Sequence, residues 1–300
     1  MDVFIRAETG APAFVVFDVL QLLAFVFLVA MLLPALLSQR IERMKTWFNL
    51  VVSCVVYCVS FLLLLGHQSG PEPPYGLCIF QAGLIYAAPV AVAAAGLVFV
   101  VELYLRLSSA LCMTQVNERH ITILLFVTPL AHCIVFWVAI FTGLSRKDAV
   151  GRSQGGLFCD IDSSTPTLTT GISVIVFVLL MIIAEVYTAV YLFRKRSAFK
   201  GVKRSSDTFP LSLFVRTACY TLAGGFCHHV RTVVYVSSNE KFLNDRRLVL
   251  ILNSGLDSMF VAMSDFLAII PLFVALLFGT QRDIIGVYMF WKTASGVGKV

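Results

Sequence analysis

Seven runs of mostly apolar residues constrain this chain more than any other feature: 14–37, 47–65, 77–105, 121–143, 170–193, 211–235 and 249–278. A bilayer core about 30 Å thick is crossed by a helix of about 20 such residues. A helix satisfies its own backbone polar groups, which lipid cannot do. No run is broken by a cluster of charges. Charged residues make up 13% of the chain and hydrophobic ones 59%, whereas soluble domains carry about 25% charge. The expectation is an all-α membrane protein, a single domain over 1–300 built as a seven-transmembrane helix bundle. The first run is too long for a signal-peptide core and no basic cluster precedes it, so it is expected to stay as the first helix.

The third run holds Ala87, Ala88, Ala91, Ala93, Ala94, Ala95 and Gly96. Small residues let membrane helices approach closely, which puts this helix at the bundle centre. Lys and Arg number seven in the amino tail and the second, fourth and sixth loops, and fourteen in the other loops and the carboxyl tail. Basic loops stay cytoplasmic, so the amino terminus is expected outside and the carboxyl terminus inside. The net charge of +6 is then a topology signal and no argument for nucleic acid. The fifth loop, with its "RKR" and "KR" runs, also favours anionic lipid.

That topology sorts the cysteines. Cys54, Cys58, Cys133, Cys219 and Cys227 fall within spans and Cys112 in a cytoplasmic loop. Only Cys78, opening the third span, and Cys159, in the stretch "GGLFCDID", face the oxidising side where disulfides persist. A bond between them is expected to staple the second outer loop over the bundle mouth. The alternative is two unrelated free thiols.

Seven spans, an outside amino terminus, a cysteine atop the third helix and another in the second outer loop resemble the G-protein-coupled receptor superfamily. The short tail and short inner loops resemble the receptor-like orphans of fungi. The resemblance implies a plasma-membrane receptor that binds an extracellular small molecule or peptide, touches membrane lipid, and signals to a heterotrimeric G protein. The residues 281–292 resemble the eighth, amphipathic receptor helix, with Ile284, Val287, Tyr288 and Trp291 at helical spacing. The rhodopsin-like motifs are missing. The third span ends in "VELYLRL", without an adjacent acid–Arg pair, and the sixth and seventh lack Cys-Trp-x-Pro and Asn-Pro-x-x-Tyr.

Polar groups at depth usually face the bundle interior. The sixth span carries Arg216, Tyr220, Gly224, His228, Arg231 and Tyr235 on one face, at steps of three or four. Asp18 and Gln21 on the first span, Gln81 and Tyr86 on the third, and Asp257 on the seventh join His228, Arg231 and Tyr235 in the outer half. These are the candidate ligand contacts, since convergent polar groups in an apolar wall are the default binding site. The alternative is a structural salt bridge of Arg231 with Asp257 or Asp18. Near the inner face, Glu102, Arg106, Glu185 and Arg216 form a candidate switch, in which Arg216 pairs with Glu102 or Glu185. The alternative is a static pair.

No enzyme, cofactor or metal is expected. No span contains a lysine to carry retinal, and no His-x-x-x-His spacing offers zinc two ligands on one helix face. A seven-helix small-solute transporter is the competing class, although no internal repeat accompanies it.

Overall fold

The computed structural model describes residues 6–37, 43–68, 70–112, 114–153, 156–194 and 269–279. Five helices among them are long and apolar enough to cross a membrane. They are α1 (Arg6–Leu37), α2 (Lys45–Leu62), α3 (Tyr75–Cys112), α4 (Glu118–Ser145) and α5 (Ser164–Arg194). A shorter apolar helix, Ile269–Gly279, covers the end of the seventh expected span. The sixth span, the rest of the seventh and the amphipathic segment lie outside the described residues. These five helices have the length and apolarity of membrane spans, as in an integral membrane protein. Helices α1, α3, α4 and α5 exceed their apolar runs because their first or last turns carry polar residues, as with Glu118 and Ser145 around α4, whereas α2 ends at Leu62, before its run does. Cys112 closes α3 as its last residue instead of lying in a loop.

Successive helices run antiparallel. Phe17 of α1 stacks edge-on against Phe61 of α2 at 5.4 Å, and α2 meets α3 at both ends. The core follows from spacing. On α1 the buried residues include Phe17, Gln21, Ala24, Leu28, Met31 and Ala35, at steps of three and four that trace one helical face. On α2 they include Trp47, Leu50, Cys54, Tyr57, Cys58 and Phe61.

The third helix is central, as its small residues foretell. In its apolar stretch 83% of the residues are buried, against 17% for α4 and 22% for α5. Two glycines explain how α4 comes so close. A Cβ on Gly83 would sit 3.0 Å from Ile140 and Phe136, and one on Gly143 would sit 3.0 Å from Ile79. Between α4 and α5 the chain forms a single 3-10 turn (Lys147–Ala149) and a two-stranded antiparallel hairpin. Its strands are β1 (Val150–Arg152) and β2 (Cys159–Ile161), paired Val150 to Ile161, Gly151 to Asp160 and Arg152 to Cys159.

Candidate functional site

The hairpin is fastened to α3 over successive turns of that helix. Cys78 and Cys159 form a disulfide with their Cα atoms 5.2 Å apart, inside the roughly 7 Å limit for bridging. Both cysteines are buried. One turn further along, fully buried Gln81 accepts the Cys159 backbone N–H on Oε1 at 3.1 Å. Its Nε2 donates to Ser60 O at 3.2 Å and Phe61 O at 3.4 Å. Those carbonyls belong to the last turn of α2, where a helix leaves its acceptors without intrahelical partners. Gln81 therefore joins α2, α3 and β2 through a single amide. Beyond it, the Tyr86 hydroxyl donates to Asp160 Oδ1, and Thr170 of α5 donates to Tyr86 O at 2.9 Å.

The hairpin also holds the α2–α3 connection. The Arg152 guanidinium donates from Nη1 to Gln68 O at 3.2 Å and Gly70 O at 3.4 Å, and from Nη2 to Pro71 O at 2.6 Å. Gln68 Nε2 in turn donates to Asp18 Oδ1 of α1 at 2.9 Å. Glycine is needed at 156, where φ is +72° and a Cβ would meet Gln68 O at 3.1 Å. The hairpin tip reaches inward. Leu157 is buried with the main core, and the Phe158 ring stands edge-on to Phe61 at 5.6 Å. The loop is thus part of the core as well as its cover.

Gln21 is the one polar residue on the buried face of α1 and is fully buried. Neither its Oε1 nor its Nε2 has a hydrogen-bond partner among the described residues. Buried polar atoms are rarely left so, and each one calls for an explanation.

At the opposite end, α2 lacks a side-chain cap of its own, since its N-cap residue is Met44. Glu102 of α3 supplies one. Its buried Oε2 accepts from Thr46 Oγ1 at 2.6 Å and from Thr46 N–H at 3.4 Å. A carboxylate at a helix N-terminus satisfies free N–H groups and complements the dipole. The other oxygen, Oε1, takes Arg106 Nε at 2.6 Å. Arg106 reaches Glu118 at 3.9 Å, and Glu118 pairs with Lys45 at 3.0 Å, both members more than half exposed. Nearby, Tyr104 of α3 packs edge-on against Tyr187 and Tyr191 of α5 at 5.3 and 5.8 Å.

The structure brings Gln81 and Tyr86 together, but both serve the hairpin. Asp18 is tied to Gln68, and Gln21 has no hydrogen-bond partner among the described residues. His228, Arg231, Tyr235 and Asp257 lie outside the described residues, as does Arg216. Glu102 and Arg106 pair with each other, and Glu185 is buried on α5. Sequence reading missed the hairpin, the Arg152 clamp and the Thr46–Glu102 contact. The Gly155-Gly156 pair before a short apolar run is the usual turn signal; the other two join residues far apart in sequence.

No protein-family model matches the chain, and no curated protein is significantly similar to it.

Proposed function

We propose that the chain is a receptor-like seven-transmembrane protein of the plasma membrane. It binds an extracellular ligand in the outer half of the bundle and signals to a cytoplasmic heterotrimeric G protein. The observation that carries this reading is the Cys78–Cys159 bond, which fixes a loop over the bundle at the top of its central helix. The buried amide of Gln21, which has no hydrogen-bond partner among the described residues, lends support, because it presents N–H donors and a carbonyl acceptor inside the bundle. In this reading His228, Arg231, Tyr235 and Asp257 complete the ligand site with Asp18. Glu102, Arg106, Glu185 and Arg216 transmit its occupancy.

The test is nucleotide exchange. Full-length protein in lipid nanodiscs is mixed with purified heterotrimeric G proteins, and GTP-analogue uptake is followed for the wild type and Arg216→Gln. The reading expects exchange above empty nanodiscs, raised further by the substitution. No exchange with any G protein, alongside solute flux in liposomes, would overturn it in favour of a transporter.

A further inference from the structure

A cleft of about 280 Å³ lies where α4 ends and α5 begins, lined by Phe141, Thr142, Ser145, Arg146, Ser163 and Thr165. Its depth in the membrane follows from the sequence. The apolar helix α4 closes at Ser145, and the next two residues are Arg146 and Lys147. The cleft therefore sits at the boundary between hydrocarbon and headgroups, where long basic side chains reach the interface.

Its chemistry is uneven. The Thr142 and Ser145 hydroxyls give their protons to Val138 O at 2.7 Å and Phe141 O at 2.8 Å, within their own helix. Among the described residues the Ser163 and Thr165 hydroxyls donate to nothing and Arg146 has no ion-pair partner. Asp148 and Asp162 stand near in sequence but do not line the cleft. One cation and two free hydroxyl donors thus converge on a space offering no carboxylate. On its membrane side, Phe141 and Trp137 are exposed, with their rings 5.6 Å apart.

We propose that this cleft seats the phosphate of a membrane phospholipid. Arg146 supplies the counter-charge, Ser163 and Thr165 supply hydrogen-bond donors, and the acyl chains lie against Phe141 and Trp137. Guanidinium and hydroxyl donors match a phosphate's acceptor-only oxygens. The exposed rings select a phosphate that arrives on a lipid over one free in solution. None of its residues belongs to the proposed ligand contacts or the inner switch, so it holds whether the chain is a receptor or a transporter.

Native mass spectrometry of the delipidated full chain tests this with three probes: dioleoyl phosphatidylcholine, dioleoylglycerol and glycerophosphocholine. The expected result is retention of the phospholipid over both others. Arg146→Gln should weaken retention about tenfold, the scale of one lost charge-assisted contact, and Arg146→Lys should keep part of it. Ser163→Ala with Thr165→Ala, which leaves the charge intact, should also weaken it in protein whose α5 helix content is unchanged. Equal retention of dioleoylglycerol, or phospholipid retention unchanged by Arg146→Gln in folded protein, would overturn the proposal. Retention of glycerophosphocholine equal to the phospholipid would overturn the assignment to lipid.

Discussion

Gln81 holds Cys159 by the backbone one helical turn from the disulfide that holds it by the side chain. The two attachments differ in kind. The bond limits how far the chain can stray, while the amide sets the register of β2 on α3. Gln81→Leu leaves three buried backbone groups without this partner. Each unsatisfied group costs about 1–3 kcal/mol, so a marked fall in the thermal midpoint is expected in detergent. Hydrogen exchange at the Cys159 amide should accelerate, even with the disulfide intact.

The disulfide itself spans 81 residues. Chain-entropy estimates give loops of that size about 4 kcal/mol, so Cys78→Ser should reduce stability strongly. Cys78 is 3% exposed and Cys159 1% exposed, which shields the bond from thiolates. Reductant should leave the crosslinked peptide intact in folded protein and cleave it once the bundle is unfolded. Peptide mapping at rising denaturant checks this.

Arg152 spreads its fork over three carbonyls of the α2–α3 connection. Arg152→Ala should speed hydrogen exchange over residues 66–72 while changing global stability by only about 1 kcal/mol, the usual worth of such bonds. Arg152→Lys should recover little, since an ammonium cannot reproduce the planar fork.

At the other end, Glu102 and Lys45 separate buried from exposed electrostatics. Glu102→Ala removes an interhelical cap, and caps are worth about 0.5–2 kcal/mol. With Thr46→Val it should form a double-mutant cycle with coupling of about 1 kcal/mol or more. Lys45→Ala breaks an exposed pair and should change stability by less than about 1 kcal/mol. Thermal unfolding of the four variants decides between a structural Glu102 and a decorative one.

Gln21 gives a prediction of the opposite sign. Replacing an unpartnered buried polar group by an apolar one of similar size removes a desolvation penalty. Gln21→Leu should raise the midpoint of the ligand-free protein. A fall would show that the amide is satisfied, by water or otherwise.

Hydropathy alone located the five described apolar helices, because lipid tolerates so few backbone solutions, although it missed the polar turns that extend α1, α3 and α5 at one end. The run of alanines foretold the burial of α3 for the same reason that Gly83 and Gly143 admit their neighbours: small side chains set the distance between helices. Cys78 and Cys159 were legible through the expected topology, in which no other cysteine falls on their side, and the disulfide joins that pair. The partners of Gln81 and Glu102 were not. Both residues stand on α3 and were read as polar groups awaiting charged or ligand partners. Both are matched instead to the unsatisfied ends of α2, one to its last carbonyls and one to its first N–H. Helix ends announce themselves weakly in sequence, and which neighbour completes them depends on packing that periodicity does not encode.

The bond between Cys78 and Cys159 also counts membrane crossings. Both sulfurs must stand on one side of the bilayer, so the chain between them has to pass through it an even number of times. The helices α3 and α4 are those two passages. During biosynthesis a nascent chain that has inserted α3 but not α4 keeps Cys159 in the wrong compartment, and oxidation has to wait. Closure of this disulfide therefore requires both helices of the α3–α4 hairpin to be threaded first.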